Sequence, residues 1–204
     1  MNRFPRKPSN LKPKKVIRIY TEGEKTEPNY FGAIKDELGL TQIDIQIHPT
    51  SRSTQSLVKY VMEEKDAESS NHKSTFETEW WVVFDRDDHE HFDRSIRLAR
   101  DNGIQVAYSN ECFELWFILH FEFLQTSLGR DAFAGKLTKH IGRKYEKNID
   151  MYSLVKGREF DAMRNAKNLE KQYTKDGTES PLKRDPFTTV YLLVEQLRLL
   201  KINS

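Results

Sequence analysis

Asp85 and Asp87 stand two residues apart, directly after the apolar run 80–84, in Phe84-Asp85-Arg86-Asp87-Asp88. If the strand conformation continues, both side chains point the same way. Two adjacent carboxylates repel, so one pKa rises unless a cation neutralises the pair. Mg2+ is the usual solution, being hard and satisfied by one or two protein carboxylates plus waters and phosphate oxygens. The plain alternative is a solvated acidic turn. A second acid, Glu22, leaves an earlier apolar run beside Gly23, which allows a sharp turn and close approach to a ligand. A carboxylate there could take a proton, return one to a leaving group, or complete a metal shell, or it could be an exposed loop acid. A third group comprises Glu111, Glu114 and His120, around an apolar helix that Asn110 is expected to cap. Glu114 could add a carboxylate and His120 could move protons near neutral pH. Phe113, Trp116, Phe117 and Phe121 read as core, and His120 could equally serve buried polar groups. Lys25 and His89 sit close enough to the acidic loops to meet a phosphate, although surface positions explain both.

The elements around these residues alternate. Strand character at 16–20, at 43–47 (Ile43, Ile45, Ile47) and at 80–84 and 104–108 is separated by helical stripes. The first stripe is Tyr30, Phe31, Ile34 and Leu38, opened by Pro28 and stopped by Gly39. The second is Leu57, Val58, Val61 and Met62; the third is Phe92, Ile96 and Ala99, ending at Asn102-Gly103. Residues 66–78 are polar and read as a loop. Helical patterns follow at 113–123, 148–155, 159–174 and 186–201, the last opened by Asp185-Pro186. A β-α-β-α-β-α-β order implies a mostly parallel four-stranded sheet in an α/β fold, with every post-strand loop on one edge. Ligands sit at that edge where the strand order reverses. Glu22 and Asp85 share a crevice if the first and third strands are neighbours. The expected organisation is a basic arm over 1–13, an α/β core over 14–125, and a helical C-terminal portion over 126–204 packed on it.

The 204 residues are 37% hydrophobic and 31% charged, with a formal net charge of +2. That balance does not identify a nucleic-acid binder. The single cysteine, Cys112, excludes an internal disulfide and a cysteine-built zinc site. No apolar run approaches a membrane span, and residues 1–15 lack a signal-peptide core, so the expectation is a cytoplasmic protein without membrane attachment.

The stretches Tyr20-Thr21-Glu22-Gly23-Glu24-Lys25-Thr26-Glu27 and Phe84-Asp85-Arg86-Asp87 resemble the Toprim pattern of topoisomerases, primases and overcoming-lysogenization-defect nucleases. That resemblance implies Mg2+ (with Mn2+ as a substitute) bound by Glu22, Asp85 and Asp87, and phosphoryl transfer. More narrowly, residues 22–31 and Ser109-Asn110-Glu111-Cys112-Phe113-Glu114-Leu115-Trp116-Phe117-Ile118-Leu119-His120-Phe121 look like RloB-family proteins, bacterial proteins associated with abortive phage resistance. The likeness implies a metal-dependent nuclease acting on DNA or RNA, with Glu22, Asp85, Asp87, Glu114 and His120 as candidate catalytic residues. An ABC/AAA-type ATPase is the partner implied by association; it or a second copy, as a homodimer, could supply further substrate contacts.

Three alternatives compete. A haloacid-dehalogenase-like phosphatase also uses Asp-x-Asp, but at the first strand, where Glu22 stands here. A non-catalytic nucleic-acid-binding or regulatory subunit could use the basic arm, the helix bearing Lys136, Lys139, His140, Arg143 and Lys144, and residues 156–164. Dinucleotide and P-loop folds lack their glycine runs here.

Overall fold

The computed structural model describes residues 15–41, 43–70, 77–86 and 90–202. The basic arm, Asp87 and His89 lie outside the described residues. The elements run β1 (Lys15–Thr21), α1 (Thr26–Leu38), β2 (Ile43–Pro49), α2 (Thr54–Ser70), β3 (Glu77–Asp85), α3 (Phe92–Asp101), β4 (Gln105–Asn110), α4 (Glu114–Leu119), α5 (Arg130–Ile141), α6 (Met151–Val155), α7 (Glu159–Lys175), β5 (Phe187–Thr188) and α8 (Val190–Ile202).

The sheet has the order β2-β1-β3-β4-β5. Its first four strands are parallel, as the alternating pattern requires, with Thr21 opposite both Pro49 and Val83. β1 is covered on both faces, which is why Val16, Ile17, Ile19 and Tyr20 are all buried rather than alternating. The same holds for Trp80 to Phe84 in β3. α2 and α3 pack together on one face, while α1 packs with α6 and α8 on the other. The chain passes from β1 to β2 on one side and returns to β3 on the other, so the order reverses between β1 and β3.

A fifth strand corrects the expected four. Phe187 and Thr188 pair antiparallel with Asn110 and Ser109, so the last helix starts at Val190 and not at Asp185-Pro186. The physical reason is the exposed edge of β4, whose backbone groups need partners. Thr189 N donates to Tyr108 O (2.8 Å), the Thr188 hydroxyl donates to the same oxygen (3.0 Å), and the Thr189 hydroxyl accepts from Tyr108 N (2.9 Å). Asp185 instead accepts from the Ser127 hydroxyl at 2.7 Å and pairs with Arg86 at 3.4 Å.

Two further boundaries move. α2 continues to Ser70 and β3 already begins at Glu77, so most of the expected loop at 66–78 is regular structure. The helix expected over 113–123 is only six residues long, and all six are buried. A short helix enclosed on every side must have its final carbonyls satisfied from outside; the Asn165 amide donates to Leu119 O at 2.8 Å. Asn110 does not cap this helix. It lies inside β4, fully buried, and its amide donates to Pro181 O, Leu182 O and Arg184 O at 3.3, 3.1 and 2.7 Å. Among the described residues no helix is long and apolar enough to cross a membrane.

Candidate functional site

The reversal point between β1 and β3 carries the acids. Glu22 follows β1, and its N–H donates to Val83 O at 2.9 Å, extending the β1–β3 pairing by one residue. This sets the Glu22 side chain at the sheet edge, where Thr54 at the start of α2 donates its hydroxyl to Glu22 Oε2 at 3.3 Å. The turn is tightened by the Thr21 hydroxyl, bonded to Gly23 O at 2.7 Å. Gly23 has a packing reason beyond the turn. A Cβ added there would meet the Glu27 carboxyl, with Cδ only 2.8 Å away. The missing side chain is the space in which the Glu27 carboxylate rests.

Asp85 is the last residue of β3, opposite Ser109, and its side chain is 16% exposed. The guanidinium of Arg130, the first residue of α5, approaches Asp85 Oδ2 at 3.7 Å and donates to Glu111 O at 3.2 Å. Arg86 turns toward a different set of partners, Glu111 and Asp185. Glu114 opens α4, is 8% exposed, and accepts a hydrogen bond from the Tyr145 hydroxyl at 2.9 Å. Burial, reinforced by the Glu114 carboxylate, pushes the Tyr145 phenol pKa up, so Tyr145 keeps its proton and remains the donor. Burial also raises the Cys112 thiol, with Glu114 and Asp85 adding to the effect, which keeps Cys112 protonated and a poor nucleophile.

One cleft of about 340 Å³ is lined by the acids Glu22, Glu24, Glu27, Asp85 and Glu114 together with Lys25, Arg130 and Lys147. A second hollow of about 340 Å³ shares Asp85, Glu114, Arg130 and Lys147, so the two meet along that line. The structure therefore brings Glu22, Asp85 and Glu114 together. Asp87 lies outside the described residues, among which no group of three or more His, Cys, Asp or Glu side chains is placed to hold a metal ion.

His120 is elsewhere. It follows the last residue of α4, is 1% exposed and does not line the cleft. Its Nδ1 lies 2.8 Å from Trp116 O, its ring packs edge-on to Trp116, and burial drives its pKa down to about 4. Two of the α5-region cations considered for phosphate contact are held in ion pairs, Lys136 with Glu122 and Lys144 with Glu146, and His140 Nε2 lies 3.0 Å from Glu122 Oε2. A wider groove of about 780 Å³ between α3 and residues 177–183 sets Arg97, Arg100 and Lys183 among Asp93, Asp101 and Glu179. Its charges balance, and the sheet-edge acids are not part of it.

Sequence reasoning assigned no role to Glu27, Arg130 or Lys147. Glu27 had one available signal, Gly23 four residues before it. Arg130 and Lys147 had none, because only the return of the C-terminal segments over the sheet edge brings them to the acids.

A comparison with curated proteins finds no match. The family model described as RloB-like protein matches residues 17–197, from the first strand through most of the last helix, and the chain belongs to that family.

Proposed function

We propose that this protein is a Mg2+-dependent nuclease of the Toprim type that cleaves phosphodiester bonds in DNA or RNA during bacterial defence against phage. One observation carries the reading: Glu22 and Asp85, 63 positions apart in the chain (85 − 22), leave adjacent parallel strands at the reversal point of the sheet and line one cleft. Ligands of such sheets bind at that place. Membership of the RloB-like family supports the defence setting by the association noted above, and an ABC/AAA-type ATPase is proposed as the partner that controls it.

The donor set suits a hard divalent cation. Carboxylates on neighbouring strands are the ligands Mg2+ takes, and one or two suffice when waters and phosphate oxygens complete an octahedron. Asp85 and Asp87 would hold the ion, with Glu22 beside them; Mn2+ could replace it. When bound, the ion offsets the carboxylate charge and polarises the phosphoryl group. The chain's own residues do the remainder. Glu22, oriented by the Thr54 hydroxyl, accepts the proton of the attacking water. The water oxygen bonds to phosphorus, the bond from phosphorus to the departing oxygen breaks, and that oxygen is protonated from solvent. Glu114 is held by Tyr145 beside this edge, where it adds negative charge and favours cation binding.

The test is cleavage of labelled DNA and RNA panels by wild type, Glu22→Gln and Asp85→Asn, with and without Mg2+ or Mn2+. Loss of a general base or a metal ligand is expected to lower the rate at least about 100-fold. Equal cleavage by all three proteins would overturn the site. No cleavage by wild type, even with a co-purified ATPase, together with unchanged nucleic-acid binding in both variants, would favour the non-catalytic binding subunit.

A further inference from the structure

We propose that Arg130 and Lys147 form a phosphate-binding wall that receives the backbone oxyanions of a nucleic-acid strand opposite the sheet-edge acids. This rests on the nuclease reading of the same cleft and names how its substrate is held.

Glu22, Glu27, Asp85 and Glu114 make the cleft negative, so a polyanion enters only where cations face it. Lys25 lies on the β1–α1 loop, on the acids' own side. Arg130 and Lys147 come from the C-terminal segments, and both line the two hollows that meet at Asp85 and Glu114. A strand crossing from one hollow to the other passes over both residues. The Arg130 guanidinium is held beside Asp85 by its bond to Glu111 O, while its side chain remains 45% exposed. The planar guanidinium has the shape for a bidentate grip on two phosphate oxygens. Lys147, which lines the same two hollows, supplies a point charge on a flexible stem.

The experiment measures fluorescence anisotropy of labelled single-stranded 12-mers, DNA and RNA, with the full chain in Ca2+ over a range of KCl concentrations. Arg130→Gln/Lys147→Gln is expected to weaken binding about tenfold or more and to flatten the salt dependence by about 1.4, two phosphate contacts at roughly 0.7 each. Lys35→Gln, which removes an exposed charge from the last turn of α1 outside both hollows, is expected to change little. Arg130→Lys should restore only part of the affinity, because it keeps charge without the fork. Thermal melts establish that each variant is folded.

A double variant that binds like the Lys35→Gln control overturns the wall, as does a wild type that binds neither strand below about 0.1 mM, the weak end of ordinary non-specific affinity. If the double variant binds and cleaves like wild type, the wall fails and the nuclease reading stands. If binding depends on Arg130 and Lys147 but wild type never cleaves, the wall stands and the nuclease reading fails.

Discussion

His120 offers a sharp test of whether it moves protons or packs. Its ring is buried, Nδ1 meets Trp116 O, and Nε2 has no hydrogen-bond partner among the described residues. Protonation would place a cation and an unsatisfied donor inside the core, and that burial lowers the pKa from the ordinary 6.5 to about 4. Backbone oxygens of Trp116 and Phe117 oppose the shift without cancelling it. The folded state therefore binds this proton more weakly than the unfolded chain. The resulting stability is present in full above about pH 6.5 and is lost as pH falls toward 4, because the unfolded chain takes up the proton first. At about 1.4 kcal/mol per unit, the loss from this group reaches about 2 kcal/mol by pH 5 and about 3 kcal/mol by pH 4. His120→Asn keeps a short amide donor for Trp116 O, removes the titration, and leaves a small void costing about 1–2 kcal/mol at every pH. Urea unfolding of both proteins, read by tryptophan fluorescence at pH 7, 6, 5 and 4, gives the comparison. The wild-type advantage at pH 7 should shrink steadily and reverse near pH 5. A constant gap across the series would refute the buried neutral imidazole and readmit His120 as a group that titrates near neutral pH.

Two other perturbations test the framework around the site. Gly23→Ala places a methyl group where the Glu27 carboxyl rests; the side chain can swing away, so the expected stability loss is about 1 kcal/mol. Displacing that carboxylate from the cleft is expected to slow single-turnover cleavage by about tenfold or more, and an unchanged rate would remove Glu27 from the site. Asn110→Ala strips three carbonyls of their shared donor, which should cost about 1–3 kcal/mol. It should also speed hydrogen exchange in residues 187–190, and unaltered protection there would show that β5 is held by its own pairing alone.

Legibility in the sequence followed burial. α1 could be placed from Tyr30, Phe31, Ile34 and Leu38, all of which are buried, with Gly39 at φ 58° ending it. β3 was visible in its continuous apolar run because both of its faces are covered. The end of α2 was not: residues 66–70 are polar and largely exposed, so a helix there carries no periodic mark. β5 is two residues long, below what an alternation can reveal, and its existence depends on a partner edge far away in sequence. The candidate site divides in the same way. Glu22 and Asp85 could be found because each stands at the end of a buried apolar run and topology does the rest. Arg130 follows no strand, and its proximity to Asp85 is purely tertiary.

That division has a structural consequence. The carboxylates Glu22, Glu27 and Asp85 are set by the sheet edge and α1, whereas Glu114, Arg130 and Lys147 arrive with the segments after β4. Those later segments are not an appendage. α8 packs on β4 and buries Val190, Leu193, Val194 and Leu197, each worth about 1.5–3 kcal/mol relative to exposure. β5 closes the β4 edge, and Asn110 ties residues 181–184 to the strand whose neighbour carries Asp85. A chain ending before α5 would keep Glu22, Glu27, Asp85, Glu114 and Lys25 but lose Arg130, Lys147 and Tyr145, leaving the acids in excess with Lys25 beside them. On the proposed reading, the cations that let this acidic cleft receive a polyanion therefore arrive mainly with the later segments, and the coupling runs through β4, which touches the Asp85 strand on one side and the returning chain on the other.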